Sequence, residues 1–324
     1  MKKNILLILG LCAVVLFPGC DNSGGPQKKL RLAFVANTAD NYWSVVQFGC
    51  DCAARQLGNV DVEFRFPAVR TAAAQQELLG EMVAGGVDGI AISPIDADSQ
   101  TEFLNGVADK ALLVCADSDA AKSRRACYIG TDNLAAGQQA AELIKAALPK
   151  GGKIILLVGY PNAQNTLDRV QGIKNGLAGS NLQIIDTLAD GHDSTIGQKN
   201  AEDALAKTPD LAGMVGIYGY HGPAILTAVR GAGRAGQVKI VCFDEDSDTL
   251  AGVASGDIYG TVVQSPLEIG WQVIVNMDRY LRGDKTQLAD GKFLIPSRMI
   301  TQKNVGNFME DQKALLLKLK QQHP

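Results

Sequence analysis

The residues in this 324-residue chain that could do chemistry are a scattered set of acids, rings and one arginine. Most of them stand just past a short apolar run. Asp40, Tyr42 and Trp43 follow "LRLAFVA" in the stretch "ANTADNYWSVV". Ser93 lies in "AISPIDADS", and Asp117 and Asp119 in "VCADSDA". The second half repeats the pattern with Arg169 in "DRVQG", His192 in "ADGHDS", Tyr218 in "GIYGYHG", Asp244 in "VCFDED" and Gln264 in "TVVQSP". Any one of these has a plain explanation, because Asp and Ser after a strand commonly cap the next helix. Their recurrence after run upon run is the stronger signal. Tyr42 and Trp43 are adjacent, so they cannot both face one core, and at least one ring points elsewhere.

The set suits a neutral polyhydroxylated ligand. Carboxylates and arginine bind hydroxyls through charge-assisted hydrogen bonds of roughly 1.5–3 kcal/mol each. Aromatic faces cover the C–H face of a ring, adding about 0.5–1.5 kcal/mol beyond area burial. A phosphate would call for several cations and backbone nests, and Arg169 is the one firm cation in the set.

Signatures of catalysis and of metal binding are missing. There is no G-x-S-x-G elbow and no Walker lysine loop. "GAGRAG", Gly231 to Gly236, matches a dinucleotide fingerprint but precedes a strand instead of following one. "DEDSD" opens like a calcium loop but has Thr249 where glycine is needed and Ser255 where glutamate is needed. No CxxC or neighbouring histidine marks a zinc site. We expect no catalytic residue, no metal and no cofactor.

Short β-branched runs alternating with longer helical patterns must position these residues. Near-continuous apolar runs read as parallel strands buried on both faces. Two such sets, about five strands each, cover residues 30 to 131 and 132 to 264. This predicts an α/β protein of two doubly wound parallel-sheet, Rossmann-like lobes. In such sheets ligands bind at the carboxyl ends of the strands, which is where the polar set falls. "VDVEFRF" alternates and predicts a strand with one wet face. "PLEIGWQVIVNMDRYLRG" predicts one more long helix before "KFLIP". The final "NVGNFMEDQKALLLKLKQQHP" predicts an amphipathic closing helix.

The chain begins "MKKNILLILGLCAVVLFPGC", two lysines and an apolar run before Cys20. This reads as a signal peptide ending in a lipobox, with Cys20 lipidated and "DNSGGPQKK" as a tether. The expected place is therefore outside the cytoplasmic membrane, held by the lipid anchor alone. Five further cysteines remain: Cys50, Cys52, Cys115, Cys127 and Cys242. Buried free thiols are expected, with a Cys115–Cys127 bridge as the alternative. The composition, 46% hydrophobic and 20% charged, is that of a globular protein, and the net charge of −3 argues against a nucleic-acid partner.

With these residues in place the chain resembles the periplasmic sugar-binding proteins of ABC importers, of the ribose-binding type, in lipoprotein form. The resemblance runs from Leu30 to about residue 302. It rests on "DNYWSVVQFG", "GGVDGIAISPIDADS", "YIGTDNLAAGQQAAELI", "NTLDRVQGIKNGL", "VKIVCFDED" and "GTVVQSPLEIGWQ" in that order. It implies a monomer whose two lobes close on a monosaccharide or related polyol and dock on permease and ATPase subunits. It also implies three chain crossings, near Asp132–Asn133, near Gln264–Pro266 and near residue 295. One lobe would then be 30–131 plus 265–294, the other 132–264 plus 295–302, with 303–324 as a closing tail. Tyr42 and Trp43 match the stacking aromatic pair, with Asp40 ahead of them. Asp117, Arg169, Asp244 and Gln264 match polar contacts, and His192 falls where an aromatic often stacks. The departures are Ser93 and Tyr218, each where the family pattern has Asn, and Ser118–Asp119 where it has Arg. The "DSD" form is similar to relatives that take rhamnose-type sugars or the autoinducer-2 furanose, so the sugar stays open. The rivals are a sensor lipoprotein presenting its ligand to a signalling receptor, a sugar-responsive repressor, and a lyase using Asp117 and His192. A repressor would need a helix-turn-helix where this chain has its signal.

Overall fold

The computed structural model describes residues 28–322. The signal-like segment and Cys20 lie outside the described residues.

The first half builds β1 (Leu30–Val35), α1 (Asn41–Leu57), β2 (Val60–Arg65), α2 (Ala72–Ala84), β3 (Gly89–Ile92), α3 (Ala97–Ala108), β4 (Leu112–Ala116) and β5 (Cys127–Thr131). The second builds α4 (Asn133–Ala147), β6 (Gly152–Val158), α5 (Gln164–Leu177), β7 (Leu182–Ala189), α6 (Ser194–Lys207), β8 (Leu211–Gly216), α7 (His221–Gly231), β9 (Lys239–Phe243), α8 (Ser247–Ser255) and β10 (Gly260–Val263). Then come α9 (Pro266–Leu281), β11 (Lys292–Ile295), β12 (Arg298–Thr301) and α10 (Val305–Gln322).

These strands form two six-stranded sheets, in the orders β11-β5-β4-β3-β1-β2 and β12-β10-β9-β8-β6-β7. β3 and β10 are buried throughout, while β2 at an edge of the first sheet alternates, as "VDVEFRF" predicts. β7, the other edge, is exposed along much of its length. Each sheet takes its sixth strand from beyond residue 264. The chain passes between the sheets after β5, after β10 and between β11 and β12. All but one of the pairings are parallel. β10 ends at the junction between the lobes and β12 starts there, so β12 runs antiparallel to it, with Val263 opposite Arg298.

Each lobe has one helix pair packed backbone to backbone. A Cβ on Gly49 of α1 would lie 2.2 Å from the Leu267 carbonyl oxygen, and one on Gly270 of α9 would lie 2.0 Å from that of Val46. α4 and α5 repeat this, with Gly137 against the Arg169 carbonyl and Gly172 against that of Leu134, each at 2.2 Å. Only glycine permits such approach. The α4–α5 contact anchors the backbone of Arg169.

All five cysteines in the described residues are buried and free. Cys127 pairs across the ladder with Val114, and Cys115 with Tyr128. That one-residue offset puts the two thiols on opposite faces of the sheet, so the alternative bridge does not form.

Candidate functional site

The carboxyl ends of the strands in both sheets face one another across a cavity of about 320 Å³. That is the size range of small-molecule sites. From the first lobe come Asn37, Asp40, Tyr42, Trp43 and Asp117; from the second, Asn165, Arg169, His192, Tyr218, Tyr220, Asp244 and Glu245. Gln264 lines it at a crossing.

Three of these residues have left-handed backbones: Asp117 (φ 62°), His192 (φ 64°) and Asp244 (φ 68°). They are the only non-glycine residues with positive φ among the described residues. Such strain costs about 1–2 kcal/mol per residue and collects at functional sites. Here each strained carbonyl is held by side chains. Tyr128 Oη and Asn133 Nδ2 donate to Asp117 O at 3.0 and 3.1 Å. Thr261 Oγ1 donates to Asp244 O at 2.8 Å, and Arg70 Nη1 to His192 O at 2.6 Å. The reversed backbone swings each side chain off its strand and into the space between the lobes.

On the first lobe, Asp40 caps α1 by accepting from Trp43 N at 3.1 Å. This fixes where the two rings begin. Trp43 is only 2% exposed, packs on Phe34 and donates from Nε1 to Asn37 at 2.8 Å, while Tyr42 donates from Oη to Asp117 at 3.1 Å. The rings stand edge to face, 5.2 Å apart, and both line the cavity.

On the second lobe, Arg169 is 1% exposed. Its Nε donates to Asn133 at 2.8 Å, its Nη1 to Ile217 O at 2.7 Å, and its guanidinium stacks 4.6 Å from the Phe243 ring centre. Its Nη2 has no partner among the described residues. Behind the aromatic wall, Asp190 accepts from His192 N at 2.9 Å and from the Tyr220 hydroxyl. It also pairs with His221 Nε2 at 2.7 Å. Since His221 Nδ1 accepts from Tyr218 N at 3.0 Å, Nε2 carries the proton and donates. Asp190 thereby sets His192, Tyr218 and Tyr220 relative to one another. Asp190→Asn keeps only one acceptor oxygen for three donors. We expect a loss of about 1–3 kcal/mol in stability, from buried donors left unpaired, and about tenfold weaker ligand binding. Chemical denaturation and calorimetric titration measure both, and wild-type values for the pair would refute the positioning role.

Several hydrogen bonds cross between the lobes. Asp40 Oδ2 meets His192 Nε2 at 2.9 Å, and Asn165 Nδ2 donates to Asp117 Oδ2 at 3.2 Å. Asn162 reaches Asp96 at 3.4 Å. The structure is thus that of the closed form.

Burial raises the carboxyl of Asp117, opposed by the field of Arg169. It pushes Asp244 up to about 6, against the same arginine. Glu245 is pushed up to about 8, by burial and then by Asp244. A carboxyl raised in the folded state keeps a proton that the unfolded chain releases, so stability falls as pH rises toward the folded value. His221, whose pKa burial lowers, acts in the opposite direction only below about pH 6.5. Between about pH 6.5 and 8 Glu245 therefore dominates. The ligand-free protein should lose about 1–2 kcal/mol over that window, at up to ~1.4 kcal/mol per unit. Thermal melts at pH 6.5 and 8 test this. Glu245→Gln should flatten the slope, and an equal slope in the variant would refute the assignment.

Nine of the eleven residues singled out in the sequence meet at this cavity; Ser93 and Asp119 do not line it. Ser93 is fully buried one layer back, where it donates to Asp117 Oδ2 at 2.9 Å. The left-handed turn at Asp117 sends Asp119 away from the cavity, into an ion pair with Arg125. Sequence reading missed Asn37, Asn165, Tyr220 and Glu245. Asn37 follows a strand, and Asn165 lies one helical turn before Arg169, so both had a positional signal. Asp190, directly after β7, had the same signal, while His221 had none.

Residues 32–285 match the Periplasmic binding protein domain family. A ribose import binding protein of Bacillus subtilis is 25% identical over 299 residues, 89% of this chain and 96% of that protein. Among solved structures, a Burkholderia graminis ABC-transporter solute-binding protein in complex with D-arabinose superposes with a TM-score of 0.82. It is 26% identical and covers 87% of this chain and 98% of its own. A glucose-galactose binding protein from Geobacillus stearothermophilus gives a TM-score of 0.81 at 25% identity, covering 86% and 99%. The two sheets, their strand order and the cavity between them are accounted for by one conclusion: the chain belongs to the periplasmic binding protein family.

Proposed function

We propose that this protein is the extracytoplasmic receptor of an ABC importer, which captures a sugar or related polyol between its lobes and delivers it to the permease. The observation that carries this reading is the buried Arg169 Nη2, left without a partner among the described residues, on a side chain that lines the cavity between the lobes. An unpaired buried guanidinium nitrogen costs about 1–3 kcal/mol, which a ligand oxygen would recover. Relatives named for ribose import, D-arabinose and glucose-galactose binding support the sugar class. Contacts from both lobes are satisfied together only when the cleft is shut, so ligand would favour the closed form that the permease recognises. Opening would occur about the three crossings, near 132–133, 264–266 and 295–298. The ligand leaves unchanged and no catalysis takes place. The protein acts as a monomer, anchored through a lipid on Cys20.

The test is a thermal-shift panel of pentoses, hexoses, deoxysugars, amino sugars and polyols. A true ligand at a hundredfold excess over Kd stabilises by about 2.7 kcal/mol. A panel in which no member raises the melting temperature would overturn the reading.

A further inference from the structure

We propose that the ligand carries a protonated amine on its polyol frame, as in an amino sugar or aminocyclitol, with the ammonium seated against Asp244 and Glu245. The inference rests on the sugar-binding reading above and narrows it.

The charges lining the cavity do not balance. Asp40, Asp117, Asp244, Glu245 and Asp246 line it, while Arg169 is the only lysine or arginine among the described residues that do. Three of these acids have work within the protein. Asp40 caps α1 and meets His192; Asp246 caps α8 through Asp248 N and Thr249 N. Asp117 accepts from Tyr42, Ser93 and Asn165. Asp244 and Glu245 remain. Asp244 lines the cavity, is 7% exposed and has one side-chain hydrogen bond among the described residues, from Gln264 to Oδ1 at 2.8 Å. Glu245 Oε2 is buried without any partner. The cation whose field reaches Glu245 is Arg298, which is exposed and stacked 5.3 Å from the Phe308 ring.

A hydroxyl could donate to these oxygens but brings no charge: burial keeps Glu245 protonated near neutral pH, and only a cation seated beside it would hold both carboxylates ionised. An ammonium supplies donors and charge together. The rest of the wall suits it as well. Tyr42, Trp43, Tyr218 and Tyr220 line the same cavity, and aromatic faces attract cations. The free Arg169 Nη2 is left for an oxygen elsewhere on the ligand. Because burial and Asp244 outweigh the field of the exposed Arg298, the Glu245 carboxyl is pushed up to about 8, and seating an ammonium beside it would release a proton at neutral pH.

Calorimetric titration of the full mature chain at pH 7 tests this with matched trios: glucose, glucosamine and N-acetylglucosamine, the galactose and mannose equivalents, and inositol with an inosamine. At least one amine should bind ten times more tightly than both its hydroxyl and its N-acetyl counterpart. That binding should release protons, seen as a heat that changes with the buffer's ionisation enthalpy. Glu245→Gln, or Asp244→Asn if the first variant does not fold, should cut the preference below threefold. Neutral members that bind as tightly as the amines in every trio would overturn the proposal while leaving sugar capture intact. Failure of every compound, neutral or charged, would overturn both.

Discussion

Replacing Arg169 with leucine should weaken binding of the best panel ligand by about a hundredfold or more. Truncating one member of a buried, hydrogen-bonded charge set costs about 2–5 kcal/mol, and each ~1.4 kcal/mol is tenfold. Arg169 is well placed to show the full effect. It is the main positive field on Asp117 and Asp244, and its Nη2 is free for the ligand. The damage would also spread. Asn133, which takes the Nε bond, is the same residue that holds the strained Asp117 carbonyl. Lysine would not rescue, because a point charge cannot make the paired bonds to Asn133 and Ile217 O that the guanidinium fork makes. Calorimetric titration beside a melt separates lost affinity from lost stability. A loss below threefold in a folded variant would remove Arg169 from the account.

Gly137→Ala should be among the most damaging small substitutions for stability. The new methyl would lie 2.2 Å from the Arg169 carbonyl oxygen and 2.9 Å from its carbon. Both are backbone atoms of a packed helix and cannot rotate away. Overpacking of this kind costs about 1–3 kcal/mol, and the rigid neighbours place this case near the top of that range. We expect Tm to fall by about 6–12 °C, with weaker binding because α5 carries Arg169 away from the cavity. Gly106→Ala is the control. It too lies within a helix, but nothing approaches its Cβ position, so alanine should leave stability unchanged or raise it by up to about 1 kcal/mol. If the two variants melt together, the α4–α5 crossing does not constrain the lobe.

How much of this was legible in the sequence depends on how local each signal was. Strands such as "KIILLVG" and "VKIVCF" announce themselves because burial on both faces demands an unbroken apolar run. Polar residues one step past those runs were legible for the same reason, since a parallel sheet gathers its strand ends at one edge. Ser93 and Asp119 share that position yet miss the cavity. What separates them from Asp117 is a left-handed backbone, and an aspartate does not signal its φ. Asp190 stood at such a position, one step past β7, but its pairing with His221 was not legible. Their partnership spans 31 positions along the chain and exists only because α7 starts beside the end of β7. The antiparallel β12 was hidden because four residues say little about direction, which follows from where the chain enters the second sheet. Glu245 was overlooked among neighbouring acids, although its lack of a partner makes it the most informative of them.

The most direct measurement is a crystal structure of the protein with its best panel ligand. The account predicts ligand density in the cavity between the sheets, with polar groups of the ligand near Asp117 on one lobe and near Arg169 and Asp244 on the other. Density bound to one lobe alone, or seated away from those three side chains, would contradict it.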